Sequence, residues 1–293
     1  QITQMIIDKA AELGNSPLKI YEYVRNNVKF QGYLGSRKGS DFTLRQMHGN
    51  DTDQCSLLLA LLRAANIPCR YVRGSVELTP DQVNGWLGMD DTAAAGSLLT
   101  TAGLDGVSIV NGPTVVAVRC TRVWVEAYVP YTNYRGTPNQ EIGKAWIPMD
   151  PAFNQLAVTP GEDVLTAMGV NMDTFLSTYI NDSINPLSPI EQLEADIQAY
   201  LDTNDPGKTV DDIRRQKTID PLELGILPAS LPYQVLSQGV PFAELEDSKR
   251  YKVRFHLYNG GTTLIDHTLN LTEIVNKRLT FEYVASTKRL LSS

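Results

Sequence analysis

The stretch that decides the fold runs from His48 to Gly74 and reads HGNDTDQCSLLLALLRAANIPCRYVRG. From Asp51 onward apolar residues occupy nearly every side of a helical wheel, so CSLLLALLRAA predicts a helix buried on most of its circumference. Asn66-Ile67-Pro68 ends that helix, because proline supplies no amide hydrogen to continue it. CRYVRGSVEL, residues 69–78, then alternates as a strand. Within the helix Cys55, Leu58, Leu59 and Leu62 fall at the i, i+3, i+4, i+7 spacing of one buried stripe. A thiol on that stripe faces the core, where apolar surroundings hold it protonated. Asp51 with Gln54 three residues later fits a capping box, worth about 1 kcal/mol of helix stability.

Upstream, ITQMIIDKAAEL and SPLKIYEYVRNNV carry apolar residues at helical spacing, the second behind a Ser cap and an early Pro, and predict two helices. The Gly-rich FQGYLGSRKGSDFTLRQMHGN between them and Asp51 predicts a surface loop. Downstream, TPDQVNGWLGMDDTAAAGSLLTTAG is a polar helical insertion, and TVVAVRC, VWVEAYV and KAWIPMD predict further strands, the last ending at Asp150. Helices followed by a sheet give an α+β order. VLTAMG, MDTFLSTYI and PIEQLEADIQAYL are helical, and the polar run DTNDPGKTVDDIRRQK reads as a boundary. In the tail Val253, Phe255 and Leu257 alternate with Lys252, Arg254 and His256, with Asn259-Gly260 as a hairpin turn. The expected organisation is a first domain over 1–180 with a helical insertion at about 75–113, a helical linker over 181–224, and a small antiparallel β module over 225–293.

The bulk numbers narrow the function classes. A chain of 293 residues with 42% hydrophobic and 20% charged residues has a globular composition and room for two domains. No apolar run reaches the roughly 20 residues of a spanning helix. With 26 Lys+Arg against 33 Asp+Glu the net charge is -7, which repels phosphate backbones and argues against a nucleic-acid partner. Cys55, Cys69 and Cys120 are odd in number, sit in apolar contexts and lack metal-ligand spacing, so they read as reduced core residues, with no metal and no cofactor implied. The first residues show no secretory leader pattern, so the ends read as products of processing or of how the segment was cut.

Three segments in order, LLLALLRAANIPCRYVRG, TRVWVEAYVP and KAWIPMDPAF, resemble the transglutaminase-like superfamily, whose papain-type Cys-His-Asp triad is spread over them. With NDTDQ and VWVEAYVPYTNYRG added, the resemblance is greatest to a bacterial branch associated with large YD-repeat surface proteins, and it covers roughly residues 1 to 155 and continues more weakly into the tail. It implies a papain-like core of helices packed on an antiparallel sheet. Aligned on ALLRAANIP, the nucleophile's place falls on Asp51, the histidine's on Arg122 and the orienting carboxylate's on Asp150, while Cys55 takes a position for a small apolar residue. A guanidinium does not release its proton near neutral pH and cannot act as a general base. His48 is near Asp51 in sequence; His256 and His267 match no motif position.

The leading expectation from the resemblance is a catalytically silent domain that binds or braces within a larger bacterial surface protein, with a salt-bridged set of Asp51, Arg122 and Asp150 holding the helix start to the sheet. Its groove would be lined by Trp86, Trp124, Tyr131, Tyr134 and Arg135 and take a protein, peptide or glycan, unless Trp124 and Trp146 alternate into the core. Two enzymatic alternatives stay open: a hydrolase pairing the carboxylates of Asp51 and Asp150, for example on glycans, and a cysteine-dependent peptidase or acyltransferase acting through Cys55. Further domains of the same polypeptide and an extracytoplasmic or cell-surface location follow from the resemblance alone.

Overall fold

The computed structural model describes residues 2–130, 143–182, 186–275 and 277–280. Two helices open the chain, α1 (Gln4–Glu12) and α2 (Pro17–Asn27), the latter started by Ser16, whose hydroxyl accepts from the Lys19 amide, and by Pro17 in the first turn. Strand β1 (Lys29–Phe30) leads to α3 (Gly39–Gln46) and then to β2 (His48–Gly49), which pairs back on β1 in parallel. The expectation of a surface loop over 30–50 is therefore corrected. Tyr33, Ser36, Ser40, Thr43 and Leu44 in it are buried, because its glycines shape the backbone around polar anchors rather than releasing it to solvent.

Helix α4 (Asp51–Ala64) is the centre of the molecule, with Asp51 through Leu62 all buried. One side meets α1, α2 and α3; the other meets the sheet through Val123, Val125, Ala127 and Val129. The sheet begins with β3 (Cys69–Leu78), after which α5 (Pro80–Leu87) and α6 (Thr92–Thr101) cross before β4 (Val107–Asn111), β5 (Thr114–Pro130) and β6 (Lys144–Met149). Long β5 organises it: one edge pairs antiparallel with β3 from Val118 to Ala127, and the other takes β4 along its first part and β6 along its second. Alternation puts Val118, Cys120 and Trp124 of β5 on the opposite face, where α5 and α6 cover them in a second cluster with Trp86, Leu99 and Phe153. The fold is α+β, as the order of elements predicts.

A second compact unit spans 156–218: β7 (Leu156–Thr159), α7 (Val164–Met168), α8 (Met172–Asn181), α9 (Pro189–Asn204), α10 (Val210–Ile213) and β8 (Gln216–Ile219), with a small core of Val164, Ile197, Leu201 and Ile213. The first unit comprises 1–155 and 219–293. The expected boundaries at 180 and 225 differ from this division. Val164, Leu165 and Met168 pack in the small core, and residues from Ile219 onward return to the first unit. There β9 (Gln234–Gln238) pairs antiparallel with the free edge of β3. Strands β10 (Lys252–Asn259) and β11 (Thr262–Asn270) form a two-stranded antiparallel hairpin turning through Gly260 and Gly261, one residue beyond the expected Asn259-Gly260, and α11 (Leu271–Ile274) follows.

Candidate functional site at the start of α4

Asn50 caps α4, its side-chain oxygen accepting from the Asp53 amide while its amide nitrogen donates to the carbonyls of Tyr33 and Gly35. The expected Asp51–Gln54 capping box is thus corrected: Asp51 is the first helical residue, and the Gln54 side chain donates to the Gly49 carbonyl. Asp53 does what sequence reasoning missed. Its buried carboxylate accepts from the hydroxyls of Tyr33 and Ser36 and from the amides of Arg37, Lys38 and Gly39, wrapping the 33–39 turn around the helix start. A second acid at the third helical position, behind Asn50, is the signal that could have found it.

Asp51 is 2% exposed. One carboxylate oxygen accepts from the Thr52 amide at 2.7 Å, the other from the Val123 amide at 3.0 Å, tying the helix start to β5. Burial raises its pKa above the ordinary carboxylate value, with Arg122 pulling the other way. Arg122 is 0% exposed, and its Nε and Nη2 donate to a single oxygen of Asp150 at 3.0 and 2.5 Å. Its guanidinium carbon lies 4.1 Å from the Trp86 ring centroid, and its Nη1 makes no hydrogen bond among the described residues. Burial disfavours the cation, but Asp150, Tyr233 and Asp51 outweigh that and raise its pKa. Asp150 is also fully engaged: the same oxygen accepts from Tyr233 Oη at 2.6 Å, the other from the Ala152 amide at 2.9 Å.

The three positions expected as a partly buried set are therefore brought together deeper than expected. Arg122 pairs with Asp150 alone, and Asp51 is satisfied by backbone amides, so the triangle is one ion pair with a neighbouring carboxylate. Cys55 is buried, and its thiol donates to the Val123 carbonyl at 3.3 Å; burial pushes its pKa well up. The His48 ring sits 2.7 Å from the Gln46 carbonyl oxygen through Nδ1, and His256 and His267 belong to the β10–β11 hairpin. Among the groove candidates, Trp86 and Trp124 are core side chains, Trp86 donating from its indole to the Ala152 carbonyl. They fill the sheet face opposite α4, so they line no groove. Tyr131, Tyr134 and Arg135 lie outside the described residues. Trp146, expected to alternate inward, is 38% exposed beside Tyr128, with the Arg70 guanidinium 3.9 Å from its ring centroid.

A strap from Tyr233 to Tyr251 roofs this region. It pairs with β3 through β9, continues through hydrogen bonds between Phe242 and Tyr71, and reaches the 33–36 turn, where the Ser36 amide donates to the Lys249 carbonyl. Beneath it a cavity of about 90 Å³ touches Asp51 and Thr52 between Leu34, Leu104, Phe242 and Leu245. That is a few water volumes, below the range of roughly 300–1,000 Å³ for small-molecule sites. Among the described residues no group of His, Cys, Asp and Glu side chains is arranged to hold a metal ion, and no helix is long and apolar enough to cross a membrane.

Comparison with known proteins bears on the same region. A candidate cysteine protease of Cytophaga hutchinsonii aligns at 22% identity and a TM-score of 0.27 over 50% of this chain, and the match spans 37% of that protein's length. No curated protein matches the chain. The family model of the transglutaminase-like superfamily matches residues 1–151, which carry α4, Asp51, Arg122 and Asp150. The chain belongs to the transglutaminase-like superfamily.

Proposed function

We propose that this chain is a catalytically silent transglutaminase-like domain in which Asp51, Arg122 and Asp150 stand where the superfamily's Cys-His-Asp triad would be, and that it serves as a binding or structural module of a larger bacterial surface protein. The observation that carries the reading is the Arg122–Asp150 pair, 0% exposed on both side chains and closed over by Tyr233. A thiolate and an imidazolium form an ion pair in an active site of this kind. Here the ion pair is instead Arg122 with Asp150, and the proton transfer is lost, since Arg122 holds its proton at any pH the fold survives.

The alternatives receive less support. Every oxygen of Asp150 accepts a hydrogen bond inside the protein, and Asp51 accepts from backbone amides, so neither carboxyl group is poised to protonate a glycosidic oxygen. Cys55 sits on the core side of α4 with its thiol turned to a strand carbonyl. The partner class is a protein, peptide or glycan on the outer surface of the domain, and the YD-repeat association, cell-surface location and further domains belong to the same proposal.

Iodoacetamide with peptide mass spectrometry tests the silence of the site. In the folded protein Cys55 and Cys120 should remain unmodified over hours and label in minutes once guanidinium is added, because only the thiolate of an accessible cysteine reacts. Rapid native alkylation of Cys55 would overturn the proposal.

A further inference from the structure

A second, larger cavity of about 560 Å³ opens on another side of α4, away from the Arg122–Asp150 pair, within the size range of small-molecule sites. Its walls come from Lys38, Asp41 and Arg45, from Arg63 and Tyr71, from Ala243, Glu244, Leu245 and Arg250 of the strap, and from Thr272, Glu273, Val275 and Lys277. The charged groups are not evenly engaged. Asp41 accepts from Thr3 and pairs with Arg45, Glu273 accepts from the backbone and side-chain amides of Asn270, and Glu244 lines the same wall between Ala243 and Leu245. Lys38 is turned to the Gln31 side chain and the His48 carbonyl. Arg63 and Arg250 differ: Arg63 donates to the Ala243 carbonyl at 2.5 Å and Arg250 to the Leu245 carbonyl at 3.2 Å, and neither meets a carboxylate among the described residues.

Those two carbonyls are two residues apart on the strap, so one short segment brings both guanidinium groups to the same wall. Five cationic and three acidic side chains line the cavity in a chain whose net charge is -7, a local reversal of sign. Leu59, Ala60, Phe42 and Val275 add apolar wall beside the charges. We propose that this cavity binds a small oxyanion ligand, a carboxylate or phosphate on a compact apolar body, with Arg63 and Arg250 as the anion-recognising pair. Guanidinium groups suit this role because their planar donors match two oxygens at once. The site does not depend on whether Asp51, Arg122 and Asp150 are silent.

Isothermal titration of the whole chain at low ionic strength, with sodium phosphate in one arm and citrate in the other, tests it. Saturable binding is expected in at least one arm, phosphate alone naming a phosphate ligand and citrate alone a carboxylate. Binding should weaken about tenfold or more in Arg63→Gln and, separately, in Arg250→Gln, the loss of one charge-assisted contact. Arg254→Gln, on the exposed hairpin and paired with Asp266, should bind as wild type does. If Arg63→Gln does not stay folded at the assay temperature, Arg63→Lys replaces it and should also weaken binding, because an ammonium keeps the charge but not the fork that meets two oxygens at once. No saturable heat with either anion, or an equal loss in Arg254→Gln, overturns the proposal.

Discussion

Asp51 is a carboxylate whose ionised form the fold disfavours, since burial outweighs the pull of Arg122 and raises its pKa. The folded state therefore holds this proton more tightly than the unfolded chain, whose carboxyl titrates near pH 4. The stability it contributes is complete below that value and is lost as the pH rises through the higher folded value. Melting of wild type against Asp51→Asn from about pH 7 to about pH 4 should shift in favour of wild type on acidification; a flat or opposite trend contradicts the burial argument. Asp53 behaves differently, because five donors depend on it. Asp53→Ala should cost about 3 kcal/mol or more in urea unfolding, by orphaning the buried hydroxyls of Tyr33 and Ser36 and the half-buried amides of the 37–39 turn. NDTDQ marked this helix start as special in the sequence, yet the division of labour was not readable there. Which of Asn50, Asp51 and Asp53 caps the helix depends on where the 33–39 turn lies, and nothing local in the sequence fixes that.

At the level of elements, α4 and β3 were readable because a continuous apolar run and an alternating strand each bury one way only. The region 30–50 was not, since its glycines read as loop while its polar side chains are internal anchors. Trp146 shows the limit of strand alternation. It does alternate, but α5 and α6 cover only one end of that sheet face, leaving Trp146 and Tyr128 beside Arg70 at the other. The pairing of β9 with β3 rests on Gly74, where an added Cβ would come within 2.2 Å of the Ser237 carbonyl oxygen and 2.7 Å of the Trp124 ring. Gly74→Ala should cost roughly 1–3 kcal/mol, as overpacking does, and speed amide exchange in residues 234–238 while the β3–β5 ladder stays protected. Unchanged exchange of β9 would show that the strap does not depend on this close approach.

For the whole molecule, the family resemblance brought Asp51, Arg122 and Asp150 into view because its motifs are local, whereas the group that seals Asp150 is not. Tyr233 lies 83 residues from Asp150 in sequence, in a segment whose alternation reads as a separate module, so its return to the core sheet was invisible before the fold was known. The structure makes Arg122 and Asp150 a buried ion pair, and the proposed silence of the domain requires that pair to brace the fold rather than react. A double-mutant cycle on Arg122→Met and Asp150→Asn, read by urea unfolding of the full chain, tests it most directly. Each single variant should cost about 3 kcal/mol by leaving one buried charge without its partner, and the double variant should cost clearly less than their sum, with a coupling of about 2 kcal/mol or more. Additive costs with negligible coupling would mean that Arg122 and Asp150 do not brace the fold as a pair.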